Sequence, residues 1–387
     1  MKDTRITDTV VYIGVDDKTI DLFESQYVVP NGISYNSYVI LDEKVVVMDT
    51  VDARATEEWF KNLENALNGR TVDYLVVSHM EPDHAANIQA LAERYPNMQV
   101  VGNAKTFQLL SQFFSIDISS RAITVKEGDT LNVGSHTLQF FMAPMVHWPE
   151  VMVTYEQSEK ILFSADGFGK FGTLDTEEDW DCEARRYYFN IVGKYGMQVQ
   201  ALLKKAARLD IQMICPLHGP ILKENLAHYL NKYDIWSSYR PEDEGIFIAY
   251  ASIHGNTAKA IKKFAEMLKE KGAPKVSLCD LTRDDMAEAV EDAFRYDRLV
   301  LAACSYDGGV FPCMEEFLHH LKAKNYQNRK VALIENGSWA PSAGKVMRSL
   351  LEGMKNITIY DEFVSIRSTL KEDSTAAMEA LADALVK

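Results

Sequence analysis

From residue 246 onward, short apolar runs alternate with segments whose apolar residues return every three or four positions. The runs cover residues 246–251, 276–278, 299–303, 331–334 and 357–360. Between them, residues 258–271 place Ile261, Phe264, Ala265 and Leu268 on one helical face, and 314–323, 343–353 and 375–386 repeat that spacing. Strands alternating with helices predict an α/β fold with an open, doubly wound parallel sheet of five strands. Such a sheet binds ligands at the carboxyl ends of its strands.

The earlier part of the chain is richer in short strands. Residues 10–15, 37–40, 45–48, 74–77, 100–101, 122–125, 138–142, 152–155, 161–164 and 211–215 all read as extended, with helical spacing at 56–67 and 86–94. This pattern predicts two mixed sheets with outer helices. Between the two patterns, Ser237-Ser238-Tyr239-Arg240-Pro241-Glu242-Asp243-Glu244-Gly245 is polar, carries Pro and Gly and has no apolar period, which is linker composition. The expected domains are therefore residues 1–245 and 246–387. There is no internal repeat and no low-complexity tract.

Composition narrows the function classes. Of the 387 residues 47% are apolar and 25% charged, the balance of an ordered globular chain. A net charge of −15 argues against a nucleic-acid backbone or an anionic membrane as partner. No apolar run reaches the roughly 18 residues of a membrane span, and Met1-Lys2-Asp3-Thr4-Arg5 is polar rather than signal-like. Cys182, Cys215, Cys279, Cys304 and Cys313 are odd in number and form no C-x-x-C pair, which suits reduced thiols in a cytoplasmic protein.

The sharpest chemical signal is His79-Met80-Glu81-Pro82-Asp83-His84, directly after the apolar run 74–77. Four potential ligands within six residues at the end of a buried strand are more than a solvated turn needs. Three more candidates share that setting. His147 follows 138–142, Asp166 follows 161–164, and His218 lies in Cys215-Pro216-Leu217-His218-Gly219-Pro220. Four imidazoles and three carboxylates without a thiolate suit one or two first-row ions such as iron, manganese or zinc, with Asp166 the natural bridge between two. His136, His228, His319 and His320 stand alone and read as ordinary surface or core residues.

In the second half, Ser252-Ile253-His254-Gly255-Asn256-Thr257 joins a strand to a helix N-terminus. Backbone N–H groups and the helix dipole there can cradle a phosphate. Ser305-Tyr306-Asp307-Gly308-Gly309 and Asn336-Gly337-Ser338-Trp339 follow the runs 299–303 and 331–334 and offer aromatic faces beside flexible glycines, as a flat ring system requires. No G-x-G-x-x-G follows a strand, which favours a mononucleotide over a dinucleotide.

The motif H-x-E-x-D-H followed by distant His, Asp and His resembles the metallo-β-lactamase superfamily in its flavodiiron version, and the loop at 252–257 resembles the flavodoxin phosphate loop, with His254 where a hydroxyl residue is usual. Together the resemblances cover residues 1–245 and 246–387, in the domain order of flavodiiron proteins. They imply an N-terminal metallo-β-lactamase-like αββα sandwich and a C-terminal flavodoxin-like domain. They also imply two non-haem Fe ions and FMN as cofactors. One iron would take His79, Glu81 and His147, the other Asp83, His84 and His218, with Asp166 bridging. Glu81 stands where the superfamily's zinc hydrolases carry a second imidazole, and a harder, anionic oxygen donor favours iron.

The resemblance further implies an oxidoreductase that reduces O2 to water, NO to N2O, or both. FMN would feed the irons, in a head-to-tail homodimer or dimer of dimers. Electrons would come from an external donor, a rubredoxin-like protein or reduced deazaflavin. Trp148, Phe168 and Tyr195 are the loop residues placed to tune one gas against the other, and the 52 residues from Asp166 to His218 are few for the family. Three alternatives remain open on the sequence: a zinc-dependent hydrolase of the same superfamily, a flavodoxin-like electron carrier, and a redox-sensing regulator, the last lacking any nucleic-acid element.

Overall fold

The computed structural model describes residues 4–387; Met1, Lys2 and Asp3 of the polar N-terminal stretch lie outside them. Backbone packing divides the chain into two units, Met1–Tyr187 with Met197–Tyr233, and Tyr188–Gly196 with Asp234–Lys387.

Among the described residues of the first unit, six strands form one sheet in the order Val10–Tyr12, Tyr38–Leu41, Val45–Met48, Tyr74–Val76, Gln99–Gly102, Ala122–Thr124. Val45–Met48 is apolar and buried throughout, as a central strand covered on both faces must be. A second sheet runs Thr130–Asn132, Thr137–Met142, Met152–Glu156, Ile161–Phe163, Met213–Cys215. Here Leu138 and Phe140 are buried while Thr137 and Gln139 are partly exposed, the period of two that one covered face imposes. Ile40, Val46, Met48 and Val76 from the first sheet meet Leu138, Phe140, Met152 and Phe163 from the second in one core. Helix Thr56–Leu67 buries Trp59, Leu63 and Leu67, four positions apart, and ends where Asn68 turns left-handed at φ 46°.

Strand direction places the candidate ligands. Thr137–Met142 and Ile161–Phe163 are both antiparallel to Met152–Glu156, and Met213–Cys215 is parallel to Ile161–Phe163. These three strands therefore run the same way, and their carboxyl ends, which lead to His147, Asp166 and His218, lie along one edge of the sheet.

In the second unit the strand order is Val276–Asp280, Asp243–Ala251, Tyr296–Tyr306, Arg329–Asn336, Ile357–Ile359, with every pair parallel. This is the doubly wound sheet that the alternation predicts, and helix Asn256–Glu270 buries the expected Ile261, Phe264, Ala265 and Leu268. The fifth position is made of two pieces: Ile357–Ile359 pairs with the start of Arg329–Asn336 and Val364–Ile366 with its end. The second piece is three residues long and alternates, too short to stand out by period.

The stretch 237–245, linker-like in composition, begins at the end of helix Leu226–Ser237 and finishes inside strand Asp243–Ala251. Asp243 is drawn into the sheet by Lys275 Nζ at 2.8 Å and Arg295 Nε at 2.7 Å, while Asp297 Oδ1 accepts the Gly245 N–H at 2.7 Å. The run 10–15 breaks at Gly14, where a Cβ would lie 2.4 Å from the Tyr35 carbonyl oxygen. All five cysteines are free thiols, and among the described residues no helix is long and apolar enough to cross a membrane.

Candidate metal centre and cofactor cleft

The hexapeptide 79–84 owes its shape to a clamp and a proline. Asp49, at the end of buried strand Val45–Met48, accepts the Ser78 N–H at 2.6 Å and the His79 N–H at 3.4 Å. Pro82 then opens a single helical turn, Pro82–Ala85, with Glu81 extended at its N-cap. The fixed φ of proline suits that first position. The turn closes through the His84 N–H to the Glu81 carbonyl at 2.9 Å, and the His84 carbonyl accepts from Thr50 Oγ1 at 2.8 Å.

Two groups of donors result, His79, Glu81, His147 and Asp166 in one and Asp83, His84 and His218 in the other. In the first, Glu81 Oε2 lies 3.1 Å from His79 Nε2 and 2.9 Å from His147 Nε2, and Asp166 Oδ2 lies 3.4 and 3.3 Å from the same nitrogens. In the second, Asp83 Oδ2 is 3.2 Å from His84 Nε2 and 3.2 Å from His218 Nε2, which are 3.1 Å from each other. Asp166 Oδ1 completes this set at 3.3 Å from His84 Nε2. One carboxylate thus turns one oxygen to each group.

The donor set fits a pair of first-row ions. Ligands about 2.1 Å from a common ion, at the usual coordination angles, stand about 3.0–3.4 Å from each other, the spacing found here. Both oxygens of Asp83 and of Asp166 are buried without a hydrogen-bond partner, a costly state for carboxylates unless a cation takes them. The outward nitrogens fix the tautomers: Glu150 Oε1 is 2.8 Å from His79 Nδ1, and His218 Nδ1 donates to the Ser34 carbonyl at 2.7 Å, so each ring turns Nε2 inward as a lone-pair donor. Burial opposes charge on Asp166, yet the neighbouring imidazoles of His79, His147 and His84 hold its carboxyl well below the usual range. Burial likewise opposes charge on His147, but the Asp166 and Glu81 carboxylates push its imidazole up to about 9. The side chains of Glu81, His147 and Asp83 keep some exposure, 15%, 10% and 10%, against 0% for His79, His84 and His218.

All seven sequence candidates are therefore in the cluster. Sequence reading missed Asp49 and Glu150. Each left a trace, a carboxylate directly after an all-apolar strand in one case and directly after His147-Trp148-Pro149 in the other. Glu24, at a hairpin tip, was not foreseen either; burial and the charge of Glu81 push its carboxyl up to about 7. Of the three tuning candidates, Trp148 stands edge-on to His79 with centroids 5.3 Å apart, Phe168 packs on Tyr233 at 4.2 Å, and Tyr195 belongs to the second unit.

In the second unit a cleft of about 480 Å3 opens at the carboxyl ends of the central strands. Its walls include Ser252, Ile253, His254, Asn256 and Thr257 from the first loop, Ser305, Tyr306, Asp307 and Gly308 from the second, and Asn336, Gly337, Ser338 and Trp339 from the third. Gly255 and Gly309 shape the loops without lining the cleft: Gly255 caps the helix at φ +83°, and Gly309 pairs with Tyr306. Ser252 Oγ accepts the Ala258 N–H at 3.2 Å and Asn336 Nδ2 donates to Thr257 Oγ1 at 3.2 Å, so the loops are tied together. Trp339 is 90% exposed and Tyr306 46%, two aromatic faces free to take a ring. The cleft and its helix N-terminus fit a flavin mononucleotide in size and chemistry. Cys304 and Ser368 also line it. Ser368 follows the short strand Val364–Ile366, whose carboxyl end could not be read without first finding the strand.

Comparison with known proteins bears on both halves. The profile of the ODP family beta lactamase matches residues 33–219, and that of a flavodoxin domain matches residues 247–356. An uncharacterised protein of Methanocaldococcus jannaschii is 28% identical over 95% of this chain and 94% of its own. The anaerobic nitric oxide reductase flavorubredoxin of Vibrio vulnificus is 26% identical over 97% of this chain and 77% of its own. Among solved structures, rubredoxin oxygen:oxidoreductase from Desulfovibrio gigas superposes with a TM-score of 0.92 at 24% identity, covering 99% of this chain and 97% of that one. A flavo di-iron protein from Thermotoga maritima, in a mutant form, gives a TM-score of 0.88 at 26% identity over 98% and 97%.

Proposed function

Because the chain belongs to the flavodiiron proteins, oxidoreductases whose cofactors are FMN and a pair of iron ions, we propose that it reduces O2 to water, NO to N2O, or both. The observation that carries this is Asp166, one oxygen turned to each donor group. Iron in the two groups would bind the gas and exchange electrons with it, and FMN in the cleft of the second unit would supply those electrons. Around that chemistry the chain's own residues have definite work. Asp166 holds the two positions at a fixed separation, Glu150 and the Ser34 carbonyl orient His79 and His218, and the substrate enters past the partly exposed Glu81, His147 and Asp83.

Glu81 weighs against the zinc hydrolase, since a third carboxylate among four imidazoles favours a harder, more oxidisable ion. The cleft loops weigh against it too, because hydrolysis gives a flavin no task. We further propose an external electron donor, a rubredoxin-like protein or reduced deazaflavin, a head-to-tail homodimer or dimer of dimers, and a cytoplasmic setting; the names of the Vibrio and Desulfovibrio relatives support gas reduction and a rubredoxin link. The proposed ligand roles are those given above, His79, Glu81 and His147 for one iron, Asp83, His84 and His218 for the other, and Asp166 between them.

The test is anaerobic preparation with iron supplied, metal and flavin analysis, and stopped-flow mixing of the reduced protein with O2 and with NO. Two irons and one FMN per chain with rapid consumption of either gas supports the proposal. A zinc-loaded protein that iron does not reconstitute, or a reduced diiron protein inert to both gases, overturns it.

A further inference from the structure

An apolar cavity lies in the first unit, beside residues that flank two of the metal ligands in sequence. It is lined at one end by Val146, which precedes ligand His147, and by Gly167 and Phe168, which follow ligand Asp166. Its far wall comes from helix Gly196–Ala206, through Val199, Leu203 and Ala206. The room open to the centre of a water-sized molecule is about 20 Å3, enough for one small molecule.

Every polar group of the wall is already engaged. Ser164 Oγ donates to the Gly167 carbonyl at 2.6 Å. Tyr233 Oη accepts the Phe168 N–H at 2.6 Å. Lys205 Nζ donates to Glu127 Oε2 at 2.9 Å and to the Met142 carbonyl at 2.8 Å. A water molecule needs two or more polar partners to repay its transfer from bulk, and a cavity without them stays dry and takes up apolar atoms instead. O2 and NO are small, nearly apolar and more soluble in hydrocarbon than in water. Two of the backbone segments that wall the cavity also carry His147 and Asp166, whose side chains approach each other to 3.3 Å.

We infer that this cavity is a dry holding site for the apolar diatomic substrate, set one residue behind two of the metal ligands. It rests on the gas-reductase proposal above. It raises the local concentration of gas beside the centre while admitting no water, so its effect falls on capture of the gas rather than on the chemical step.

The experiment uses xenon, which binds such cavities and needs no iron. Crystals of the full chain under xenon pressure are expected to show a xenon atom between Phe168 and Leu203. Val199→Ala, which enlarges the space, should raise its occupancy, and Ala206→Leu, which fills it, should abolish it. In stopped flow, Ala206→Leu should slow the second-order reaction of the diferrous protein with O2 or NO several-fold, with turnover at saturating gas unchanged. No xenon in either the natural chain or Val199→Ala overturns the cavity assignment alone. Xenon excluded by Ala206→Leu with an unaltered second-order rate overturns its role. Xenon bound in a protein whose diferrous form ignores both gases overturns the reductase proposal and this one with it.

Discussion

Glu150 Oε1 sits 2.8 Å from His79 Nδ1 and 2.8 Å from the Met80 backbone nitrogen, on a side chain wholly removed from solvent. Of the four imidazoles in the cluster, His79 has this carboxylate behind it, whereas His218 has a backbone carbonyl. An anion behind a ligating imidazole makes it a stronger donor and favours the oxidised metal. Glu150→Gln keeps an oxygen to accept both N–H groups but deletes the charge. The expected result is about 10–100-fold weaker iron retention against a competing chelator, together with a higher reduction potential. A potential unchanged within error would show that Glu150 only positions the ring.

Asp166 and Asp83 differ in reach. Asp166 serves both donor groups, and Asp83 Oδ2 serves only His84 and His218. Asp166→Ala is expected to lose both irons, and Asp83→Ala to retain about one per chain, since a group keeping two imidazoles and two carboxylates still offers a near-complete set. Metal analysis after gel filtration decides it; equal loss in the two variants would contradict the assignment of the two groups.

Gly255 occupies φ +83° at the N-terminus of helix Asn256–Glu270, the proposed phosphate site, and a Cβ there would meet nothing within 4 Å. The cost of Gly255→Ala is therefore backbone strain alone, about 1–2 kcal/mol, which any ligand needing that loop shape must meet. FMN affinity should fall roughly 5–30-fold by fluorescence quenching, with little change in the fold by circular dichroism. Undiminished affinity would place the phosphate elsewhere.

His136, away from the metal, is tied by Nδ1 to Asp42 Oδ2 at 2.6 Å and by Nε2 to Thr9 Oγ1 at 3.1 Å. Burial works against its charge, but the hydrogen bond it donates to Asp42 and the fields of Glu156 and Asp42 raise its pKa overall. For Asp42, burial is outweighed by hydrogen bonds from His136 and neighbouring backbone, so its pKa is lowered. A raised histidine contributes stability that is full below its unfolded value of about 6.5 and is lost as pH rises through its folded value. A lowered aspartate contributes stability that is full above about 3.9 and is lost as pH falls through its folded value. His136→Gln should accordingly cost more in urea melts at pH 6 than at pH 9. An equal cost at both would mean the ring is neutral throughout.

The fold was legible where one face of an element is covered and the other is not. Helix Thr56–Leu67 falls where its period puts it, whereas strand Val45–Met48, covered on both faces, was legible as an unbroken apolar run. Hairpin strands such as Leu22–Phe23 and Tyr27–Val28 are two residues long and carry no period, and helix Trp180–Tyr187 buries Arg185 and Arg186 along with its apolar residues, which erases the contrast that marks a helix face. The hexapeptide 79–84, which serves both donor groups, was legible because four of the seven candidates lie within its six residues. Asp49 and Glu150 were not, since a carboxylate that supports a ligand has no spacing rule relative to it. Ser368 was hidden for another reason, the division of the fifth strand into two short pieces.

The shared direction of Thr137–Met142, Ile161–Phe163 and Met213–Cys215 has a consequence for how the chain can be checked for correct assembly. Ile161 lies against Met213, Leu162 against Ile214 and Phe163 against Cys215. A slip of one position along that ladder would carry His218 about 3.3 Å past Asp166, whereas a coordination bond tolerates about 0.2 Å. The metal centre is thus a vernier for the sheet: iron uptake scores, to a fraction of a residue, whether strands more than fifty positions apart have been aligned.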